Sequence, residues 1–268
     1  MKWSSRCVPA REGLAAGTGR LIVRRMQPGE YRKMAGAEET MWYYRALHGH
    51  VLRTLAGRLA NPHATVLDAG CGTGGLLYRL HEAQPFWSLT GLDFSPIACG
   101  LARERNSGTI VQGSIASLPF ADATFDAIVS CDVACQVADP AAAFAEFSRC
   151  VRPGGLVVVT MPAYQWMYSY HDREVGNLRR YTRTEVNALL RAAGLSILRT
   201  TYWSLLPFPL AVLRRKIFPP ARSTSDVKLY PAPVEAMFNG LMALERAWLR
   251  LGATMPFGSS ILTVAGKP

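Results

Sequence analysis

The chain has 268 residues, a formal net charge of +11, 49% hydrophobic residues and 18% charged residues. With 23 Gly and 17 Pro, this composition excludes both a disordered polyelectrolyte and a collagen-like repeat. The charge excludes an evenly neutral surface: residues 1–33 hold eight Lys/Arg against Glu12 and Glu30, and residues 179–222 hold nine against Glu185 alone. Residues 1–33 show no period and are expected to form a loose basic extension, with one domain over 34–268. From Glu38 to Leu59 apolar side chains recur every three or four positions, which predicts an amphipathic helix ended by Asn61-Pro62. Ala64–Ala69 is a predicted strand, followed by a glycine loop and a helix from about Gly75. Ser88–Leu92 is the second strand, and Ser95-Pro96 caps the helix after it. Strands are predicted at Thr109–Gln112, Phe125–Ser130 and Leu156–Met161, with a helix over Pro140–Cys150 and a turn at Arg152–Gly155. A helix follows over Thr184–Ala193, capped by Thr182 or Thr184. Leu195–Trp203 and Ile261–Ala265 are the last strands. Between them, residues 204–259 contain a periodic helix from Val234 to Leu251 and form an expected insertion or cap.

Regular alternation of strand and helix predicts a doubly wound α/β domain with a mostly parallel seven-stranded sheet and a helical insertion before the last strand. No apolar run reaches the ~18 residues of a bilayer span, and Thr200–Leu213 is interrupted by Pro207 and Pro209. The first twenty residues lack the apolar core of a secretory signal. Six cysteines without a C-x-x-C pair fit buried thiols in a reducing compartment. A cytoplasmic protein is the expectation.

The sharpest feature is Val66-Leu67-Asp68-Ala69-Gly70-Cys71-Gly72-Thr73-Gly74-Gly75. A strand enters glycines that let the backbone approach a ligand closely, and a helix N-terminus follows. The glycines alone fit both the dinucleotide G-x-G-x-x-G and a G-x-G-x-G pattern. Asp68 would repel a pyrophosphate but would welcome an ammonium. Asp93, closing the second strand, suits a ribose diol. A nucleoside carrying an amino-acid zwitterion, such as S-adenosylmethionine, satisfies both acids.

Together with Gly91–Pro96, Gly113–Phe120, Phe125–Val129 and Arg152–Gly155, in this order and spacing, the loop resembles the class I S-adenosylmethionine-dependent methyltransferases of the small-molecule or lipid type, over about residues 38–203. The resemblance implies a Rossmann-like methyltransferase fold with S-adenosyl-L-methionine as cofactor. Gly70, Cys71, Gly72 and Gly74 would line its methionine part, and Asp68 would hold its amino group. Asp93 would take the ribose hydroxyls, with Phe94 against the adenine. Ser114 and Ile115 stand where the family often has Asp and an apolar residue at the adenine, and the Ser is a departure that weakens that contact. Cys131 would offer its backbone to the amino group. An aromatic of the first helix, Tyr43 foremost, would reach the carboxylate. Since Tyr43 and Tyr44 face different ways, at most one is expected inside.

No metal-ligand spacing occurs among the five His. His171, after the fifth strand, is the candidate base or acceptor-binding residue, with Asp172 favouring its charged form. Asp132 and Gln136 are candidates near the methyl site. The stretch His171-Asp172 to Arg179-Arg180-Tyr181 resembles a subgroup of bacterial methyltransferases in envelope, glycan or lipid pathways, so Arg179, Arg180 and Tyr181 are expected at the acceptor. The alternative for the arginines is a loop ion pair with Glu174 or Glu185. Trp203–Leu210 followed by Arg214-Arg215-Lys216 suits a lid, or peripheral contact with the inner face of a membrane. The expected reaction is methylation of a small or lipid-like acceptor on oxygen. The alternatives are carbon or nitrogen methylation of an isoprenoid or other anionic small molecule, an NAD(P)-dependent oxidoreductase, and an RNA-binding methyltransferase. No nucleic-acid partner is expected, since no RNA-binding module is seen.

Overall fold

The computed structural model describes residues 26–220 and 225–268. The strands are β1 Thr65–Ala69, β2 Ser88–Asp93, β3 Thr109–Gln112, β4 Phe125–Cys131, β5 Val151–Pro162, β6 Ser196–Trp203 and β7 Ser260–Gly266. They form one seven-stranded sheet in the order β3-β2-β1-β4-β5-β7-β6. β1 to β5 run parallel, and β7 is antiparallel to both β5 and β6. The central strands read as apolar runs because both faces are covered: Leu67, Ile128 and Val157 are fully buried, each worth roughly 1.5–3 kcal/mol.

The helices are α1 Pro28–Ala37, α2 Trp42–Ala56, α3 Gly75–Ala83, α4 Pro96–Glu104, α5 Pro140–Cys150, α6 Tyr170–Glu174, α7 Arg183–Ala192, α8 Phe208–Val212 and α9 Ala232–Arg250. Their starts follow local chemistry. Ser95 Oγ accepts from the Ala98 N–H, and Asp139 accepts from the N–H groups of Ala141 and Ala142. Thr182, not Thr184, caps α7 in a reciprocal box with Glu185.

Three differences from the sequence expectation have physical causes. Residues 28–33 are not a loose extension, because Pro28 opens α1; residues 1–25 lie outside the described residues. Arg152–Gly155 is not a separate turn but part of β5. The pairing shifts from Phe125↔Val151 to Ala127↔Leu156, and Gly154 takes φ +77° within that irregularity. The helix expected over Glu38–Leu59 is split: Glu38 closes α1, and α2 begins at Trp42. Residues 204–259, with α8, a wide turn at Leu213–Ile217 and α9, lie between β6 and β7.

Candidate active site

The sheet order reverses direction between β1 and β4, and ligands bind beyond the strand C-termini at such a switch point. Here a cavity of about 850 Å³ opens, at the upper end of the ~300–1,000 Å³ typical of small-molecule pockets. The ends of β1, β2 and β4 form its floor. Its roof comes from α1, α2 and the segment between β6 and β7.

On the β1 side, Asp68 is buried and has no hydrogen-bond donor among the described residues. Burial, followed by the charges of Glu38 and Asp93, pushes its carboxyl up to about 8. Gly70 and Gly72 take left-handed φ values of +90° and +54°. A Cβ on Gly72 would meet only the flexible tip of Met34, 2.7 Å from Cε, so it is the left-handed backbone that favours glycine there. The N–H groups of Gly70 and Cys71 both donate to the Leu92 carbonyl, at 2.7 and 2.9 Å, which pins the loop to β2. Asp93 accepts from the N–H groups of Gly72 (2.9 Å) and Ser95 (2.8 Å). Burial raises its pKa, and these donors pull it back. Each carboxylate oxygen retains a lone pair for a diol.

Beyond Asp93 the cavity is walled by Phe94, Gln112, Ser114 and Ile115. Ser114 Oγ already accepts from the Ala116 N–H at 3.2 Å, which leaves its O–H as the group to offer. Cys71 and Cys131 also line the cavity, and burial raises both thiols far from ionisation. Gly74 does not line it. It starts α3 at φ +84° and packs against Ala102, so its lack of a side chain serves the helix start and the α3–α4 approach.

Sequence reasoning missed the latch over this end. Glu38 accepts from Thr73 Oγ1 (2.6 Å) and Arg105 (3.2 Å), while Arg105 Nε donates to the Thr73 carbonyl at 2.8 Å. Burial lifts Glu38 to about 7, against the pull of Thr73 and Arg105. The latch joins the α1–α2 junction to the glycine loop. No local pattern marks Glu38, since its partners are 35 and 67 residues away.

Both Tyr43 and Tyr44 line the cavity, against the expectation of one. Tyr43 is already engaged: its hydroxyl donates to Asp132 at 2.8 Å and lies 3.1 Å from Ser260 Oγ. The Tyr44 hydroxyl has no hydrogen-bond partner among the described residues. Asp132 follows β4 at φ +58°, accepts also from Thr160 Oγ1 (3.2 Å), and has its pKa raised by burial. Gln136 lines the same wall and donates to the Asp132 carbonyl.

His171 reaches the cavity, but in the opposite protonation state to the one expected. Burial, followed by the charge of Arg215, lowers its pKa to about 3, despite Asp226 and Asp172. Its Nδ1 accepts from the Asp226 N–H at 3.1 Å. The neutral ring therefore carries its proton on Nε2 and is a donor, not a base. Asp172 is committed elsewhere. Burial would raise its pKa, but Arg180 at 2.8 Å and Asn177 at 3.0 Å bring it below the usual range. Arg180 lines the cavity while pairing with Asp172, in place of the expected Glu174 or Glu185. Arg179 and Tyr181 do not line it: Arg179 donates to the Ala138 carbonyl at 2.7 Å, and Tyr181 packs in the core. The basic triplet folds back onto this end. Arg214 and Arg215 bind Asp226 through Nε at 3.0 and 2.8 Å, and Lys216 donates to the Tyr168 carbonyl. Among the described residues, no three His, Cys, Asp or Glu gather to hold a metal.

Residues 67–159 match the family described as "Methyltransferase domain". The matched residues hold the glycine loop, Asp93 and β4 through most of β5, the segment on which the resemblance to S-adenosylmethionine-dependent methyltransferases rests. The buried, donor-free Asp68 and the side-chain-free cradle at Gly72 fit S-adenosylmethionine. An uncharacterized 37.1 kDa protein in transposon TN4556 of Streptomyces fradiae is 30% identical over 75% of this chain and 61% of its own length. Cycloartenol-C-24-methyltransferase 1 of Oryza sativa subsp. japonica is 32% identical over 46% of this chain and 36% of its own. The chain thus spans less than two thirds of either relative. Among solved structures, a chain of the complex between the Haloferax volcanii Trm112 methyltransferase activator and a methyltransferase has a TM-score of 0.63 at 21% identity. The match covers 92% of this chain and 97% of that one, a likeness of fold.

Proposed function

We propose that the chain transfers a methyl group from S-adenosylmethionine to a hydroxyl of an amphipathic acceptor that carries a negatively charged group. The observation that carries this reading is the polarity of one cavity. A buried, donor-free acid, Asp68, stands at one end, and Arg180, Arg214, Arg215 and the His171 Nε2–H gather toward the other. Arg214 and Arg215 spend Nε on Asp226, which leaves their terminal nitrogens for a carboxylate or phosphate. Val137, Val175, Pro207, Leu210 and Phe238 supply an apolar wall for the rest of the molecule.

The bound cofactor supplies a methyl carbon already activated by its sulfonium, so alignment and the acceptor's proton remain for the protein. Asp68 pairs with the ammonium, the Tyr44 hydroxyl donates to the carboxylate, and Asp93 takes the ribose hydroxyls. Asp132, held by Tyr43 and Thr160, takes the proton from the acceptor hydroxyl; its raised proton affinity suits that role. Carbon methylation is the second reading. It is favoured by the relative named as a cycloartenol-C-24-methyltransferase, whose name also supports an apolar acceptor.

The test incubates the purified chain with methyl-labelled cofactor and lipid extracts. Label is expected in an anionic, organic-soluble product, in a form released by ether or ester cleavage. Asp132→Asn is expected to lower turnover by roughly 10²–10⁴-fold at unchanged cofactor affinity. Label that resists cleavage would remove the oxygen assignment, and label confined to neutral water-soluble products would remove the acceptor class.

A further inference from the structure

Helix α9 is apolar on two sides: Met242 and Leu249 are buried in the core, and a second apolar face points outward. Its charged residues turn inward or to one flank: Glu245 is buried and accepts from the Leu205 N–H, and Glu235 accepts from the N–H groups of Trp42 and Tyr230. At about 100° per residue, Met237, Leu241, Leu244, Trp248 and Leu251 form one stripe, with Ala236, Gly240, Ala243 and Ala247 beside it. No charge falls within this arc of roughly half the helix circumference. The stripe faces out: Met237 is 50% exposed, Leu244 65%, Trp248 55% and Leu251 82%. A continuous apolar face of this kind marks an interaction surface.

A cluster of arginines rims it. Arg246 and Arg250 flank the stripe on α9, and Arg45 and Arg53 stand on the adjoining α2. They lie within electrostatic reach of one another. Burial and then the charges of Arg250 and Arg246 lower Arg53; burial and then Arg250 and Arg45 lower Arg246. No carboxylate pairs with any of the four among the described residues.

We propose that this face of α9 is a docking surface for an anionic phospholipid bilayer. The stripe enters the acyl boundary, and Arg45, Arg246 and Arg250 meet the headgroup phosphates, with Arg53, whose Nη2 is buried, adding its charge from behind. No helix among the described residues is long and apolar enough to cross the membrane, and a helix of about 28 Å lies in the interface plane instead. A second copy is a poorer occupant, because it would press together two chains of charge +11, each presenting unpaired arginines. The opposite side of α9 contributes Phe238 to the active-site cavity, so docking sets the acceptor's entrance beside the lipid. This inference stands apart from which atom is methylated.

The test is co-sedimentation of the full chain with vesicles of phosphatidylcholine alone or with about 30% phosphatidylglycerol. Binding is expected to the anionic vesicles and to fall in about 0.5 M salt. It should weaken about tenfold or more in Leu244→Glu/Trp248→Glu and in Arg246→Glu/Arg250→Glu. Bromine-labelled acyl chains should quench wild-type tryptophan fluorescence, and Trp248→Phe, a variant that keeps the fold, should remove most of that quenching. Wild-type chain left in the supernatant with anionic vesicles would overturn the proposal. So would quenching that is unchanged in Trp248→Phe, or a wild-type dimer that Leu244→Glu/Trp248→Glu converts to monomer without any vesicle binding.

Discussion

In the proposed function, where Asp68 holds the cofactor's ammonium, cofactor binding should release a proton over a defined pH window. In the free protein the Asp68 carboxyl titrates near 8 because burial, reinforced by Glu38 and Asp93, penalises the anion. The α-amino group of S-adenosylhomocysteine is that of a free amino acid and titrates above a peptide terminus at ~7.7–8.0, so below pH 8 the ligand arrives as a cation and Asp68 must give up its proton to meet it. At pH 6 that costs about two pH units at ~1.4 kcal/mol each, or ~2.7 kcal/mol. Affinity should therefore fall roughly 50- to 100-fold from pH 8 to pH 6, with about one proton released per ligand at pH 6. Calorimetric titration with S-adenosylhomocysteine in two buffers of different ionisation enthalpy measures both quantities. Asp68→Asn should flatten the pH dependence and cost about 1.5–3 kcal/mol of affinity at pH 8. The same substitution should stabilise the free protein. A folded-state pKa above the unfolded value of 3.8 means that wild-type stability declines as pH rises from about 4 to about 8. The Asn variant escapes that decline and should melt several degrees higher at pH 7. Proton release that persists in Asp68→Asn would refute the reasoning and transfer the role to Glu38, which titrates near 7.

Two further outcomes are expected. Gly72→Val places a branched side chain at φ +54° with its Cβ 2.7 Å from Met34 Cε. It should abolish cofactor binding and cost about 1–2 kcal/mol of stability, read by titration and thermal melting. His171→Gln keeps a donor and should retain most turnover, whereas His171→Ala should raise the acceptor KM. With His171 titrating near 3, the rate should show no inflection near pH 6.5, and an inflection there that vanishes in His171→Gln would restore the residue as a base.

Where the lining of the cavity is local in the chain, the residues announced most of it. Asp68, the glycines and Asp93 lie within 26 positions of one another, and their strand-loop-helix setting follows from patterns of apolar and turn residues. The doubly wound sheet was legible for the same reason. What stayed hidden depends on partners far away in sequence. His171 was expected to charge beside Asp172, but its state is set by burial, by Arg215 and by the Asp226 N–H, 55 residues on. Arg179, Arg180 and Tyr181 looked alike as a cluster, yet only Arg180 lines the cavity, and it does so while clasping Asp172. The periodicity of α9 announced a helix but not its orientation. Apolar spacing states that a stripe exists, and only the tertiary fold decides which way it points.

Trp203 and Ser260 are paired neighbours on β6 and β7, so the 56-residue excursion from 204 to 259 leaves and rejoins the sheet at adjoining positions. Loop-closure entropy rises only with the logarithm of length, so this graft can be lengthened, trimmed or exchanged while the strands beneath keep their register. The sheet is thereby insulated from changes in the segment that, in the proposed reaction, helps select what receives the methyl, whereas α2 is coupled to it through the Trp42–Glu235 contact. Chimaeras spliced at this one seam are the natural way to give the domain a new recipient.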